Sequence, residues 1–485
     1  MVHTVTLLPE KQNISVESGT NLLAALRTCG LSPDAPCGGS GKCGKCRVWV
    51  DGEERLACQT EVHRDMTVLL SQQVQMPIMT QSATTSALAK SEGYALAVDI
   101  GTTTVAVWLL EGTSGSEIAC ASAPNPQRSW GADVISRIRH ARAGESGALT
   151  AAIQKCLQTL TEEVCRKAGI CLSDLRHICV VGNPAMQQLF LSIGVDNLAQ
   201  IPFSPVLTEA QTVSAEPYFP GCTQGKMEIV PDISGYVGAD TVAGVLATKL
   251  HEEEQFTLLV DIGTNGEMVL GNRDAMYACA TAAGPALEGA GITFGMTAAT
   301  GAIDHVWLEE GQIRFSVIGN VDAVGICGSA LVDAIAVMLE AGLLDKRGNL
   351  PTQEKRFYLT PNVYLTQDDI RQFQLAKGAI AAGIRLLAAK AGFSLAQISR
   401  VYLAGAFGSV LDAQNACRTG LLPRELADRI VAVGNVAGGG AKIMACDPEI
   451  LKTAEVLART IQFVELASLP EFRRYFAEEM RFYDR

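Results

Sequence analysis

The chain has 485 residues, a length that predicts about three folded domains. Of these residues 48% are hydrophobic and 19% are charged, a composition that excludes a disordered chain. Its 39 Lys and Arg residues against 51 Asp and Glu residues give a formal net charge of −12, which argues against nucleic acid or an anionic membrane as a partner. The 15 cysteines, together with an N-terminus that lacks a signal-peptide pattern, predict a reducing, cytoplasmic location.

We predict a small β-rich domain over residues 1–72. Alternating apolar positions indicate three strands and one helix: His3–Leu8, Cys46–Val50, Thr67–Leu70 and Asn21–Cys29. Residues 73–93 are rich in Gln, Ser and Thr and have no sustained period, which is typical of a flexible linker between two folded bodies.

Four cysteines of this domain have the spacing of iron–sulfur ligands: Cys37, Cys43, Cys46 and Cys58. The first three follow C-x5-C-x2-C, which is close to the plant-type C-x4-C-x2-C pattern and differs from the run found in bacterial 4Fe-4S proteins. Glycines between them permit the backbone angles with which a loop aims N–H groups at sulfur. We predict a 2Fe-2S cluster in an α+β, ferredoxin-like (β-grasp) domain. A structural zinc is the alternative, although it usually needs two C-x2-C pairs.

The other eleven cysteines lack ligand spacing, and we predict that they are small buried side chains without a redox role. Cys29 lies on the preceding predicted helix, so we expect it to be packed rather than to compete as a ligand. His63 is close in sequence to the cluster, but a single histidine is more often a surface residue.

Two near copies of one segment predict two lobes of related fold over residues 94–256 and 257–485. Each copy contains Asp-Ile-Gly-Thr between two apolar runs, with Asp99 in the first and Asp261 in the second. A Gly-Thr turn between buried strands exposes N–H groups and hydroxyls to phosphate oxygens, and the aspartate at the strand end can hold Mg²⁺. The pattern therefore predicts ATP bound as its magnesium complex.

A third glycine-rich element, Arg400–Ser409, follows a predicted strand, and the absence of a Cβ at Gly405 and Gly408 would admit adenosine. The order of two phosphate loops and an adenosine loop resembles the actin, sugar kinase and acetate kinase superfamily, in which the nucleotide lies between two RNase H-like α/β lobes. Further glycine-rich segments at 284–289, 325–328 and 435–440 either complete this cleft or serve as helix caps and close packing sites.

The predicted nucleotide-binding residues are these: Asp99, Gly101, Thr102, Thr103, Asp261, Gly263, Thr264, Asn265, Gly284, Gly405, Gly408, Gly438 and Gly439. For the base that activates water we favour Asp240 over Asp133. Each of the two follows a glycine-containing turn where a helix could begin, so each could instead be a helix cap. No Ser-His-Asp or Cys-His nucleophile is indicated.

Seven motifs together resemble the reductive activators of corrinoid enzymes: GADVISRI at 131–138, VVGNPAMQQLFL at 180–191, DIGTNGE at 261–267, AAGPALEGAGI at 282–292, QLAKGAI at 374–380, AGAFGS at 404–409 and GNVAGGGAKIMA at 434–445. The resemblance implies that the cluster, loaded by a low-potential electron donor, passes one electron to a corrinoid protein whose cobalt has been oxidised to Co(II). ATP then drives the return to methyl-accepting Co(I), a chemistry suited to anaerobic metabolism.

Members of this family can carry an additional middle domain, associated with dimerisation, between the ferredoxin domain and the ATPase. Here only the short linker intervenes, which leaves a homodimer as one open oligomeric state. Two other functions remain open: a redox-sensing, nucleotide-switched regulator, and an ATP-dependent electron donor to another low-potential metalloenzyme. An activator of a radical dehydratase would need a 4Fe-4S cluster held by cysteines of the C-terminal lobe, and the N-terminal cysteine spacing argues against it.

Overall fold

The computed structural model describes residues 1–9, 11–30, 33, 35–70 and 93–483. Apart from Gly93, the predicted linker at 73–93 lies outside the described residues. The described chain builds three principal sheets, one in an N-terminal domain and one in each of two lobes. No described helix is both long enough and apolar enough to cross a membrane.

The N-terminal domain is a five-stranded sheet of order β2-β1-β7-β4-β5 packed against one helix. Its strands are β1 (Val2–Leu8), β2 (Gln12–Glu17), β3 (Thr20–Asn21), β4 (Arg47–Val50), β5 (Glu53–Leu56), β6 (Glu61–Val62) and β7 (Met66–Leu70), and its helix is α1 (Leu22–Thr28). The central strands β1 and β7 are parallel, and β3 pairs with β6 as a separate ladder. Asn21 caps α1 by accepting from Leu23 N and Ala24 N. The predicted β-grasp fold is confirmed.

Each lobe is built on a six-stranded sheet. The first lobe contains β8 (Tyr94–Ile100), β9 (Thr104–Glu111), β10 (Glu117–Pro124), β11 (Leu175–Gly182), β12 (Gln211–Ser214) and β13 (Lys226–Ile229). Its helices are α2 (Val134–His140), α3 (Ser146–Ala168), α4 (Pro184–Phe190) and α5 (Ala239–Thr248). A turn of π-helix, Ala141–Glu145, joins α2 to α3.

The second lobe contains more elements around a sheet of the same plan. Its strands are β14 (Thr257–Ile262), β15 (Gly266–Gly271), β16 (Met276–Thr281), β17 (Ala302–Glu309), β18 (Gln312–Val317), β19 (Gly325–Ile326), β20 (Arg356–Tyr358), β21 (Tyr364–Thr366), β22 (Arg400–Ala404), β23 (Ile430–Gly434) and β24 (Gln462–Phe463). Its helices are α6 (Gly328–Glu340), α7 (Gln367–Ala391), α8 (Gly405–Gly408), α9 (Ala413–Thr419), α10 (Val436–Cys446), α11 (Ile450–Thr460) and α12 (Pro470–Glu479).

The two lobes share one strand order, which confirms the two-lobed fold predicted from the repeat. Strands β10-β9-β8 form an antiparallel meander followed by parallel β11 and β13, and β16-β15-β14 are followed by parallel β22 and β23 in the same way. Because β8 and β14 are equivalent central strands, each Asp-Ile-Gly-Thr turn follows the same position of its own sheet. The lobes therefore present related loops.

Helices α5 and α10 lie between the two sheets. One hydrophobic core contains side chains of both helices and of both sheets, among them Trp108 from β9 and Val269 from β15. The helices approach so closely that a Cβ on Gly440 would lie 2.1 Å from the carbonyl oxygen of Ala243. Gly440 therefore permits close helix packing, which is one of the two roles that the sequence predicted for the 435–440 segment.

A buried lysine ties the C-terminal segment to α7. Lys377 is fully buried, and its Nζ donates to the carbonyl oxygen of Arg481 at 2.7 Å. The ammonium also lies 5.3 Å from the ring centre of Phe482 and 5.5 Å from that of Tyr483. The motif QLAKGAI thus anchors the end of the chain rather than contributing to the cleft.

The eleven cysteines predicted to be buried are mostly so. Seven are buried and three are partly buried, whereas Cys171 is exposed, so the prediction is wrong for that residue. Burial raises the pKa of the Cys156 and Cys417 thiols to about 12, which keeps them protonated and unreactive at neutral pH.

Candidate functional site

The four cysteines predicted as cluster ligands meet as two neighbouring pairs. The Sγ atoms of Cys37 and Cys43 are 3.2 Å apart, and the thiols of Cys46 and Cys58 are within hydrogen-bonding reach of each other. No described group of three or more His, Cys, Asp or Glu side chains is arranged to hold one metal ion. Because each iron of a binuclear cluster needs two thiolates, the paired arrangement fits two irons better than a single tetrahedral ion.

The loop around these cysteines aims hydrogen-bond donors at sulfur, as the glycine pattern predicts. Four glycines of the loop have positive φ: Gly38 at 65°, Gly39 at 96°, Gly41 at 76° and Gly44 at 64°. Partial burial raises the pKa of Cys37, but hydrogen bonds from the Ser40 side chain and from the backbone N–H groups of Cys43 and Lys42 lower it to about 6. The backbone N–H groups of Lys45 and Gly41 likewise donate to Cys43 and Cys58. Such donors stabilise negative charge on sulfur.

Arg27 joins the cysteine loop to the first lobe, a role that sequence reasoning missed. The side chain is only 9% exposed and donates to the carbonyl oxygens of Gly38 and Ser129. Its guanidinium lies 5.3 Å from the ring centre of Trp130 and within electrostatic reach of three of the four cysteines. The signal that could have identified it is that Arg27 is the single charged residue of the mostly apolar helix LLAALRT.

The two Asp-Ile-Gly-Thr copies form short turns of equal length, 101–103 after β8 and 263–265 after β14. A Cβ on Gly101 would lie 2.6 Å from the carbonyl oxygen of Thr104, so the first turn requires glycine. Asn183 donates to the hydroxyl of Thr102 at 3.1 Å, and Asn435 donates to the carboxylate of Asp99 at 2.7 Å. Two asparagines that the sequence did not single out therefore orient the first loop.

Four carboxylates gather beside these turns: Asp99, Asp240, Asp261 and Glu267. Burial is the main reason that the pKa of Asp99 and of Asp261 rises to about 7 and that of Asp240 to about 6. Asp240 adds repulsion that raises the pKa of its three neighbours. Glu267 ends the motif DIGTNGE but was not predicted as a site residue. A divalent cation would relieve this repulsion.

The structure separates the two candidates for a water-activating base. Asp240 is in the first turn of α5 and lines a small cavity with Asp261 and Glu267. Asp133 is instead the cap of α2, because its carboxylate accepts from Ser136 N at 2.8 Å and from Ser136 Oγ at 2.7 Å. Both carboxylate oxygens of Asp133 thus accept a hydrogen bond at the helix end, which favours the capping role that the sequence left open.

Glu288 connects the two turns and was also missed. Its carboxylate accepts from Thr103 Oγ1 of the first lobe at 2.9 Å and from Thr264 Oγ1 of the second lobe at 2.7 Å. Glu288 lies in the motif AAGPALEGAGI, in which only Gly284 was predicted as a site residue. The Glu288 carboxylate thus accepts the hydrogen bonds of the two threonine hydroxyls that were predicted to face phosphate.

The remaining predicted glycines differ in what surrounds them. A Cβ on Gly405 would lie 2.5 Å from Asp261 Oδ1, one on Gly408 3.0 Å from Leu403, and one on Gly438 2.4 Å from the Trp108 ring. Close packing inside the protein therefore explains why glycine stands at these three positions. A Cβ on Gly284 would meet nothing within 4 Å, so that backbone is open to a ligand.

Two further predicted residues are Gly439, which lies on α10, and Asn265, which ends the turn 263–265. Gly439 lies buried within α10, and the Asn265 side chain hydrogen-bonds Glu267. Gly439 is therefore placed inside the protein, whereas Asn265 belongs to the carboxylate cluster beside the turns.

Comparison with protein-family models gives three matches along the chain. A 2Fe-2S iron–sulfur cluster binding domain matches residues 5–64, the middle region of RACo matches 94–253, and the C-terminal domain of RACo, described as the ASKHA domain, matches 255–485. The middle-region match falls on the segment that the sequence analysis assigned to the first ATPase lobe. The sequence analysis expected only a linker, and no middle domain, between the ferredoxin domain and the ATPase.

Three relatives each resemble more than half of the chain. The corrinoid activation enzyme RamQ of Eubacterium limosum is 34% identical over 453 residues, which cover 87% of this chain and 74% of RamQ. The [Co(II) methylated amine-specific corrinoid protein] reductase of Methanosarcina barkeri is 29% identical over 346 residues, which cover 64% of each chain. The solved structure of a reductive activator for corrinoid,iron-sulfur protein superposes with a TM-score of 0.73 at 27% identity, covering 99% of this chain and 98% of that one.

Proposed function

Because this chain belongs to the family of reductive activators of corrinoid proteins, we propose that it uses ATP to transfer one electron from a 2Fe-2S cluster to the Co(II) of a corrinoid protein. The product is the Co(I) state, which accepts methyl groups. One observation carries the proposal: the paired cysteines and the two phosphate-type turns belong to one chain, in which Arg27 and Lys45 of the N-terminal domain hydrogen-bond to the first and the second lobe.

The cluster is proposed to be held by Cys37 and Cys43 on one iron and by Cys46 and Cys58 on the other. When bound, it supplies one low-potential electron, near −400 mV in plant-type ferredoxins. The chain's own part is to aim N–H groups at the sulfurs and to place the Arg27 cation beside them. Positive charge and N–H donors stabilise the reduced, more negative state.

The nucleotide is proposed to bind as MgATP between the turns at 101–103 and 263–265. Asp99 and Asp261 would hold Mg²⁺ directly or through water, and Asp240 would orient or activate the attacking water. Energy input is expected because reduction of a Co(II) corrinoid is harder than a typical cluster achieves at equilibrium. Closure of the lobes on ATP can supply it if the closed state binds the partner differently from the open state.

Three further elements complete the proposal. A low-potential electron donor is needed to reload the cluster after each transfer. A homodimer is an open assembly state that the family resemblance suggests. A reducing cytoplasm suits a chain whose fifteen cysteines form no disulfide and of which four are proposed to hold the cluster.

The test is anaerobic mixing of the reduced protein with a Co(II) corrinoid protein, followed by its visible spectrum. The Co(I) spectrum should develop with MgATP and should not develop without it. Absence of Co(I) with MgATP, or equal formation without nucleotide, would overturn the proposal.

Replacement of a cluster ligand separates the cluster from the other thiols. Cys58→Ser should lose most of the iron, reducing the content from about two per chain, because Ser is a poor ligand for Fe–S clusters. Cys29→Ser is the control, since Cys29 is the C-cap of α1 and its thiol donates to the Ala25 carbonyl. Iron and sulfide assays with the visible spectrum measure the outcome. Equal iron content in both variants contradicts the ligand assignment.

A further inference from the structure

Glu288 lies between the proposed nucleotide site and the cysteine loop. Its carboxylate accepts hydrogen bonds from Thr103 Oγ1 and Thr264 Oγ1, one hydroxyl from each lobe. In the proposed function these hydroxyls face the phosphates of ATP. A carboxylate and a phosphate cannot accept the same hydrogen bonds, and their like charges repel at this distance. Nucleotide binding therefore has to displace Glu288.

A cavity that Glu288 itself lines can accommodate the displaced carboxylate. The cavity has a volume of about 420 Å³ and is lined by Glu288 together with Arg27 and Lys45 of the N-terminal domain. Arg27 is buried, and its Nε has no hydrogen-bond partner. Lys45 belongs to the cysteine loop, where it stands between Gly44 and Cys46. Its ammonium carries a positive charge that complements the carboxylate.

The chain after Glu288 also reaches the cysteine loop through a stiff connection. The carbonyl oxygen of Gly295 accepts from Lys45 Nζ at 3.1 Å. A Cβ on Gly295 would lie 2.1 Å from the carbonyl oxygen of Gly289, and one on Gly289 would lie 2.6 Å from Met296 N. Because the two ends of the segment 289–296 pack directly against each other at Gly289 and Gly295, we expect a movement of Glu288 to shift Gly295.

We propose that Glu288 is the residue that couples nucleotide binding to the cysteine loop. Without nucleotide it bridges the two phosphate-type turns while Lys45 bonds Gly295. With nucleotide it leaves the turns, enters the cavity and pairs with Lys45, which gives up its bond to Gly295. This inference rests on the proposed function, in that nucleotide must bind at these turns. Glu288 acts here as a positioning residue.

The test compares cluster-loaded full-length proteins with and without a non-hydrolysable MgATP analogue. The readouts are the dissociation constant of the analogue and the electron paramagnetic resonance spectrum of the reduced cluster, which reports on the environment of the cysteine loop. Glu288→Gln should bind the analogue about fivefold more tightly, because an uncharged amide competes less well for the two hydroxyls. The same variant should lose the spectral change that the analogue produces in the wild type.

A pair of lysines supplies the matched control. Lys45→Met should bind the analogue with wild-type affinity, because the nucleotide-binding turns are unchanged. It should lose the nucleotide-dependent spectral change, because the substitution removes the ammonium that bonds Gly295 and would pair with Glu288. Lys42→Met removes the same charge from the same loop at an exposed position and should keep that change.

Binding to the wild type without any spectral change, or an unaltered change in Lys45→Met, would overturn the role of Glu288 alone. If the wild type does not bind the analogue, the nucleotide site of the proposed function and this coupling both fall.

Discussion

At the scale of single residues, the proposed nucleotide cleft is a place where negative charges are gathered. The carboxylates of Asp99, Asp240 and Asp261 lie together on partly buried residues, and Asp240 raises the pKa of the other two by repulsion. Burial of a carboxylate without a cation disfavours its ionised form. If the cleft holds Mg²⁺ as proposed, protons compete with that ion for the same oxygens.

This competition predicts a pH dependence of nucleotide binding. With the pKa of Asp99 and Asp261 at about 7, the affinity for MgATP should fall progressively as the pH drops below 7 and should level off above it, because bound Mg²⁺ requires ionised carboxylates. Isothermal titration calorimetry between pH 5.5 and 8.5 measures this. Asp261→Asn should flatten the profile, whereas Asp133→Asn should keep it, since asparagine still caps α2. A profile that is flat in the wild type contradicts the proposed role of the carboxylates.

The same pKa values predict the opposite trend for stability without nucleotide. Folded carboxylates with raised pKa values bind more protons than their unfolded counterparts between about pH 4 and pH 7. Their contribution to the free energy of unfolding is therefore complete below the unfolded pKa and is lost as the pH rises through 7.

At the scale of elements, the glycine that begins α8 sets the position of a proposed magnesium ligand. Gly405 has a φ of +87°, and its α-carbon packs against the Asp261 carboxylate. Gly405→Ala should weaken MgATP binding by about tenfold, equivalent to about 1.4 kcal/mol, because the added Cβ displaces that carboxylate.

The control for this substitution is Gly392→Ala at the end of α7. Gly392 has a similar φ of +80° but no atom within 4 Å of a built Cβ, so this variant shares the backbone strain, about 1–2 kcal/mol, without the clash. Its nucleotide affinity should match that of the wild type, as measured by the same titration. Equal loss of affinity in both variants would assign the effect to strain alone.

At the scale of the whole molecule, Arg27 is a main link between the N-terminal domain and the first lobe. It donates to the Ser129 carbonyl and stacks on Trp130, beside a backbone hydrogen bond from Ala132 N to Pro36 O at 3.0 Å. Arg27→Met should loosen this contact, because the carbonyl oxygens of Ser129 and Gly38 lose their charged donor.

Small-angle X-ray scattering measures the loosening as an increased radius of gyration. Arg47→Met is the control, since Arg47 pairs only with neighbours on the N-terminal domain. If the two variants give the same radius of gyration as the wild type, Arg27 is not needed to hold the domains together.

Local features of the sequence were enough to predict much of this protein. Residue spacing indicated the four paired cysteines, and glycines indicated the positive φ angles of their loop. The repeated Asp-Ile-Gly-Thr indicated two sheets of one plan, because strand, turn and strand are adjacent in the chain and their periodicity is visible there.

The tertiary structure alone decided which distant groups meet. Glu288 receives a hydroxyl from each lobe, Arg27 of the first domain reaches the carbonyl of Ser129, and Gly405 approaches Asp261. It also placed Asp133 at a helix cap and Asp240 beside the other carboxylates. Neither residue type nor spacing encodes such pairings, since they arise only when separately folded layers pack and bring remote side chains within hydrogen-bonding distance.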